Sequence, residues 1–198
     1  MMREYQPLQF HQLREGATFH QATGPKERVQ LDSLALSVMT DLRQVPAATI
    51  DAEAPLDAAI RFMIRRGVRL LLVTDDRREI AGLITATDIL GERPVRFALD
   101  RGIRRQDLRV RDIMVARERL EILCFDDVAG AKVGHIVATL KRDGRQHALV
   151  AHRGSDGRGE MVRGIFSLSQ IARQLGLDTP ASSEIAQTFA EIEAALSR

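Results

Sequence analysis

The chain carries nearly the same phrase twice. Residues 82–89, Gly-Leu-Ile-Thr-Ala-Thr-Asp-Ile, return in altered form at 164–171 as Gly-Ile-Phe-Ser-Leu-Ser-Gln-Ile. An internal repeat constrains the fold strongly, because each copy is one supersecondary unit that cannot bury its apolar face alone. We therefore expect two similar units that pack on each other.

The similarity extends upstream of the phrase at a single offset of 77 positions. An apolar stripe with helical spacing occurs in both copies. Its members correspond as Leu56 with Val133, Ala59 with Ile136, Ile60 with Val137 and Met63 with Leu140. Gly67 and Gly144 match at the same offset, and 38–40 (Val-Met-Thr) resembles 113–115 (Ile-Met-Val). The second copy has a longer Gly-rich turn at 153–159, where a packed repeat tolerates insertion.

Each copy is predicted to have the element order β-α-β-β-α. In the first copy, Pro55 opens a helix that ends near Gly67. Arg69–Thr74 and Ile80–Ile84 are predicted strands joined by a hairpin turn, and Thr85 begins a second helix. The predicted class is therefore α/β, of the α+β kind, with two pseudo-symmetric units.

Five segments are expected along the chain. They are an N-terminal arm (1–35), a first repeat (36–91), a connector (92–109), a second repeat (110–175) and a linker with a C-terminal amphipathic helix (176–198). That last helix carries Ile185, Phe189, Ile192 and Leu196 on one stripe, so we expect it to pack on the body or on a partner.

Composition excludes several functional classes. No apolar run approaches the roughly 20 residues of a membrane helix, and the first residues lack the apolar stretch of a signal peptide. The single cysteine, Cys124, forms no internal disulfide, so we expect a cytoplasmic protein without a membrane partner. The net charge of +2 does not favour nucleic acid. Seven arginines crowd residues 93–111, but acidic residues are interleaved with them, which favours a self-paired surface over a polyanion site.

With these features the chain resembles a tandem pair of cystathionine-β-synthase-type (CBS) domains, also called a Bateman module. The resemblance rests on the two β-α-β-β-α units, the Met-Thr-like phrase that opens each, and the closing Gly-x-Ile-Thr-x-x-Asp-Ile. It covers roughly 36–175 and is more specific in the first copy. The resemblance implies a regulatory module that binds AMP, ADP, ATP or S-adenosylmethionine between the repeats. It also implies a homodimer.

The resemblance implies a ligand site at Thr85, Thr87 and Asp88. In the family the motif's Asp accepts hydrogen bonds from both ribose hydroxyls, and its Thr faces the phosphate end. A carboxylate offers two acceptor oxygens to a vicinal diol, which suits this role. The alternative is a helix cap, because Thr85-x-x-Asp88 is also a capping box. Ser167-x-x-Gln170 fits the same pattern, so a cap accounts for both copies equally well.

Two basic residues complete the predicted site. Arg69 and His147 stand just before the buried strands, where the resemblance implies side chains directed at phosphate; the alternative is an exposed strand edge. Gln170 replaces Asp88 in the second copy and has no charge, so that site is predicted to be weaker, empty or bound to something else.

No catalytic or metal site is expected. The five histidines include no pair with zinc-like spacing, Cys124 has no recognisable nucleophile context, and no Walker loop or Gly-x-Ser-x-Gly elbow occurs. The sequence therefore predicts a non-catalytic nucleotide-binding regulator of an unidentified protein, with no metal required. The alternatives are a nucleotide-free dimerisation or interaction module, an enzyme, and a nucleic-acid binder that uses the arginines of 93–111.

Overall fold

The computed structural model describes residues 29–152 and 160–177. Its eight strands form two four-stranded sheets. The strands are β1 (Thr40–Asp41), β2 (Thr49–Asp51), β3 (Leu70–Thr74), β4 (Ile80–Thr85), β5 (Val115–Ala116), β6 (Ile122–Cys124), β7 (His147–His152) and β8 (Met161–Ser167). The first sheet has the order β2-β3-β4-β5 and the second has the order β1-β8-β7-β6.

Seven α-helices cover the outer faces of these sheets within the described ranges. They are α1 (Leu56–Arg66), α2 (Ala86–Leu90), α3 (Arg93–Arg101), α4 (Val110–Ile113), α5 (Phe125–Ala129), α6 (Val133–Arg142) and α7 (Leu168–Gln174). Short 3₁₀ turns at 35–38, 105–107 and 117–119 connect them. The predicted mixed class and the two β-α-β-β-α units are confirmed.

The two halves exchange a short strand with each other. β1 comes from the first half but pairs antiparallel with β8, so that Thr40 lies opposite Ile165. In the same way β5 pairs antiparallel with β4 of the first half, and Val115 lies opposite Leu83. Each Met-Thr-like phrase therefore completes the sheet of the other half. The sequence did not predict this exchange.

A methionine and a glycine meet at each exchange. A Cβ built on Gly82 would lie 2.9 Å from Met114 Sδ and closer still to the Val115 carbonyl oxygen. A Cβ on Gly164 would collide with the side chain of Met39. Glycine at both positions lets the exchanged strand approach closely.

The buried strands face a helical core on one side and the other half on the opposite side. Leu71 and Val73 of β3 belong to the core under α1 and α4. Leu70 and Leu72 point the other way and pack with Leu149 of β7 in a third cluster between the halves. Side chains alternate along a strand, so a strand covered on both faces reads as a continuous apolar run. This explains the prediction of a buried strand at Arg69–Thr74, which is confirmed within one residue.

The first long helix follows its prediction closely. Pro55 lies immediately before α1, and Gly67 ends the helix with φ +64°. Gly144 has φ +60° at the matching position after α6. The connector differs from expectation, because Arg93–Arg101 form a helix, α3, that packs on α2 and α4. Residues 1–28 of the predicted arm (1–35), the Gly-rich turn (153–159) and the C-terminal helix (183–196) lie outside the described residues.

Candidate functional site

A cavity of about 370 Å³ lies between the halves, at the junction of β4 with α2. We call it the first cleft. Four of the five predicted site residues line it: Thr85, Thr87, Asp88 and His147. Its other lining residues are Leu83, Val115, Arg119, Leu120, Glu121, Arg145, Gln146 and Leu149.

Asp88 and Thr85 form a complete capping box at the start of α2. The Thr85 backbone N–H and hydroxyl both donate to Asp88 Oδ2, at 2.9 and 2.7 Å, and the Asp88 N–H donates to Thr85 Oγ1 at 3.3 Å. The cap uses only one oxygen of the carboxylate. Asp88 Oδ1 accepts no hydrogen bond from the described residues, so the cap and a ligand contact can coexist.

Arg93 of α3 lies beside this second oxygen. Its Nη1 is 3.7 Å from Asp88 Oδ1, and its Nη2 donates to the Met114 carbonyl at 3.1 Å. Asp88 is mostly shielded, with 21% of its side chain exposed, whereas Arg93 is 43% exposed. The sequence did not indicate this contact, because Arg93 stood in a presumed connector among several other arginines.

The opposite wall of the first cleft comes from the second half. Arg145, Gln146 and His147 lie at the start of β7, and Arg145 forms an ion pair with Glu121. Sequence reasoning missed Arg145, Gln146, Arg119 and Glu121. The offset of 77 could have found Gln146, because Gln146 matches Arg69 at that offset. The structure supports the match: the Arg69 carbonyl accepts from the N–H of Ala86, the first residue of α2, and the Gln146 carbonyl accepts from the N–H of Leu168, the first residue of α7.

His147 lies on the border between the halves and is neutral at pH 7. Burial lowers the pKa of His147 to about 4; the positive charge of Arg69 acts in the same direction, and the negative charge of Asp88 opposes it. A neutral imidazole has one donor and one acceptor nitrogen. His147 therefore contributes hydrogen bonds to the first cleft rather than charge.

Arg69 is not among the lining residues of the first cleft. Arg69 lines another cavity of about 490 Å³, which we call the second cleft. This cleft occupies the equivalent position at the junction of β8 with α7, and His147 lines it as well. Its polar lining residues are Thr40, Arg65, Arg66, Arg69, His147, Ser167, Ser169, Gln170 and Arg173.

The second copy lacks the capping box that its sequence suggested. Ser167 makes no side-chain cap; its Oγ lies 3.2 Å from Ser169 Oγ instead. Gln170 Oε1 accepts a hydrogen bond from Thr40 Oγ1 of the exchanged strand β1, at 3.2 Å. The expectation that a cap fits both copies equally well is therefore wrong. Gln170 is hydrogen-bonded to Thr40. Val115, which occupies the matching place beside β4, has no hydroxyl group to offer Asp88.

Some arginines of 93–111 pair with acidic side chains, whereas Arg101 stacks on Phe97 and Arg105 and Arg109 donate to backbone carbonyls. Arg96 contacts Glu92 at 2.5 Å, and Arg104 donates to both oxygens of Asp107. Arg111 forms an ion pair with Glu53. Three of these cations are therefore neutralised locally.

The described residues contain no group of three or more His, Cys, Asp or Glu placed to hold a metal ion. None of the helices in that part of the chain has the length and apolar character needed to span a bilayer.

Comparison with known proteins identifies the first half. Residues 36–94 match the family model described as CBS domain. An uncharacterized protein of Methanopyrus kandleri is 28% identical over 57 residues, which is 29% of this chain and 29% of that protein. The match thus spans less than a third of this relative's length.

Solved structures share the fold of both halves. The crystal structure of an uncharacterized conserved protein from Pyrococcus horikoshii superposes with a TM-score of 0.53 at 19% identity, covering 78% of this chain and all of that one. CBSX2, crystallised in complex with AMP, gives a TM-score of 0.49 at 17% identity and covers 71% of this chain and 93% of its own.

Proposed function

Since this chain is a tandem CBS-domain protein, we propose that it is a non-catalytic regulatory module that binds an adenosine-containing nucleotide in the first cleft. The ligand class follows from the family resemblance and comprises AMP, ADP, ATP and S-adenosylmethionine. No metal is required. The observation that carries the proposal is the carboxylate of Asp88, which lines the cleft with Oδ2 fixed by the cap and Oδ1 without a hydrogen-bond donor among the described residues.

The cap prepares Asp88 for ligand binding. Two hydrogen bonds from Thr85 hold the side chain in one rotamer, so little conformational entropy is lost when a ligand binds. Both lone-pair sites of Oδ2 are used by Thr85, so the two sites of Oδ1 are the acceptors for ribose hydroxyls. Hydrogen bonds to a charged acceptor are stronger than neutral ones.

The rest of the first cleft suits the other parts of a nucleotide. Leu83, Val115, Leu120 and Leu149 give it an apolar wall, which suits a purine ring. Arg119 supplies positive charge for phosphate, and the hydroxyl of Thr87 supplies a donor. The cavity volume of about 370 Å³ lies within the range of small-molecule sites.

A regulatory role follows from the position of the cleft. Thr85, Thr87 and Asp88 belong to the first half, whereas Gln146, His147 and Leu149 belong to the second. A ligand that contacts both walls favours the arrangement of the halves that fits it best. A partner that binds one arrangement better then responds to the ligand.

A panel of ligands tests the proposal. We expect AMP, ADP, ATP or S-adenosylmethionine to raise the melting temperature by several degrees, since a site saturated a hundredfold adds about 2.7 kcal/mol. The matched control is the 2′-deoxy form of the compound that binds, which lacks one hydroxyl of the diol and should bind at least tenfold more weakly. NAD and cyclic dinucleotides complete the panel.

The alternative is an interaction module without a nucleotide. Large apolar side chains on α2 and α3 favour it, because Leu90 and Leu99 are 69% and 76% exposed. Absence of any melting shift with millimolar adenine compounds would support this alternative and contradict nucleotide binding.

A further inference from the structure

We infer that the second cleft is a receptor for a chain of phosphates, such as pyrophosphate or tripolyphosphate, and that it binds this polyanion without a nucleoside. The inference does not depend on the nucleotide proposed for the first cleft. It rests on the charge of the lining and on the polarity of its hydrogen-bonding groups.

The two clefts differ in charge although they occupy equivalent places. In the first cleft, Arg119 and Arg145 are balanced by Asp88 and Glu121. Among the described residues, the second cleft is lined by four arginines and by no Asp or Glu. Those arginines are Arg65, Arg66, Arg69 and Arg173. Cations of one sign along a concave wall attract and concentrate anions.

The second cleft offers donors where the first offers an acceptor. Gln170 stands at the position of Asp88, and its Oε1 already accepts from Thr40 Oγ1. The amide also presents its NH₂ group, which can donate two hydrogen bonds. Ser167 and Ser169 add hydroxyls to the same wall. None of its described lining residues has a carboxylate that could accept hydrogen bonds from a ribose diol, so the cleft suits oxyanions rather than nucleosides.

Several arginines elsewhere in the described residues have acidic partners. Arg104, Arg142 and Arg163 each donate two hydrogen bonds to one aspartate, respectively Asp107, Asp143 and Asp41. In the second cleft Arg65 and Arg66 instead stack on the Phe62 ring, at 5.3 and 5.9 Å from its centroid. Arg173 donates to the Ser169 carbonyl at 3.4 Å. Within residues 29–152 and 160–177 these three guanidinium groups form no ion pair.

The cations come from both halves of the molecule. Arg65 and Arg66 end α1, whereas Arg173 lies in α7, and the cleft separates them. A single phosphate contacts one wall, but a chain of two or three phosphates has oxygens to reach both. This favours a phosphate chain over a lone phosphate.

The test is calorimetric titration of the full chain with tripolyphosphate in a buffer free of divalent cations. We expect one tripolyphosphate per chain and weaker binding at higher salt. The variant Arg66→Gln/Arg173→Gln should bind at least tenfold more weakly, because it removes a charged donor from each wall. The matched control Arg96→Gln/Arg142→Gln has the same net charge and should change affinity less than twofold.

Asp88→Asn separates this inference from the proposed function, and it should leave tripolyphosphate binding unchanged. Equal weakening by both double variants would show general attraction to a basic surface and overturn the inference, as would no binding at millimolar tripolyphosphate. Displacement of tripolyphosphate by AMP, with both lost in Asp88→Asn, would show a single nucleotide site and also overturn it. Melting curves of each variant confirm that the chain is folded.

Discussion

Substitution of Asp88 separates the two interpretations of the repeated phrase, a helix cap and a ligand contact. Asn at this position still offers an oxygen to the Thr85 N–H, so Asp88→Asn should lower the stability by less than about 1 kcal/mol. It replaces the available Oδ1 acceptor with an NH₂ donor or a neutral oxygen, so nucleotide binding should weaken by about ten- to a hundredfold. Calorimetry with the best ligand of the panel measures the change. Gln170→Asn is the control and should leave this affinity unchanged; equal affinity of wild type and Asp88→Asn would mean that the motif is only a cap.

His147 should make the stability depend on pH. Its pKa is about 4 in the folded protein and near 6.5 when unfolded, so between these values the unfolded chain binds more protons. The free energy of unfolding should therefore rise with pH from about 4 to 6.5. At pH 5 it should be roughly 2 kcal/mol lower than at pH 8. His147→Gln should flatten this part of the curve in urea unfolding measured at several pH values. Parallel curves for the variant and wild type would contradict the assigned role.

Among the elements, the exchanged strands carry the tightest packing. Gly82→Ala places a methyl group against the Val115 backbone, which cannot move without breaking the β4–β5 pair, so we expect a loss of about 1–3 kcal/mol. Gly164→Ala meets only the side chain of Met39, which can adopt another rotamer, and should cost less. Gly130→Ala is the control, because a Cβ there meets nothing within 4 Å. Urea unfolding gives the order; equal losses at Gly82 and Gly130 would contradict the close approach.

Local sequence patterns predicted helices and strands, but they did not predict which distant strands pair. Helix α1 was predicted from the apolar stripe between Leu56 and Met63, and β3 from the apolar run before Thr74. Both signals lie in neighbouring residues, whose spacing reflects which side chains are buried. β1 and β5 have two residues each, and their partners lie far away in the chain, so no local signal marks them. The sequence did not predict helix α3, because its arginines obscured the helical pattern. For the same reason only His147 was predicted on the facing wall of the first cleft: the repeated phrase supplies Thr85 to Asp88, whereas the facing residues come close only after the halves pack.

For the whole molecule we predict a homodimer. Leu90, Val95 and Leu99 are exposed on the neighbouring helices α2 and α3, and such apolar faces usually find a partner. Leu99→Glu should shift the sedimentation coefficient at micromolar concentration toward that of a monomer. Met161→Glu, at a residue 71% exposed on β8, serves as the control. A wild-type protein that sediments as a monomer would contradict the prediction.

The exchange of strands sets an order of events during synthesis on the ribosome. The first sheet needs nothing beyond Ala116, so it can be completed while the second half is still being made. The second sheet cannot be completed so early, because β1 is translated long before its pairing strand β8. Asp41 of β1 and its partner Arg163 of β8 are 122 positions apart. Until then Thr40–Asp41 has no strand to pair with, and the edge of β8 stays open to other chains once β8 has emerged. The nascent protein is therefore most exposed to misassembly after β8 has emerged, and docking of its own early segment ends that exposure.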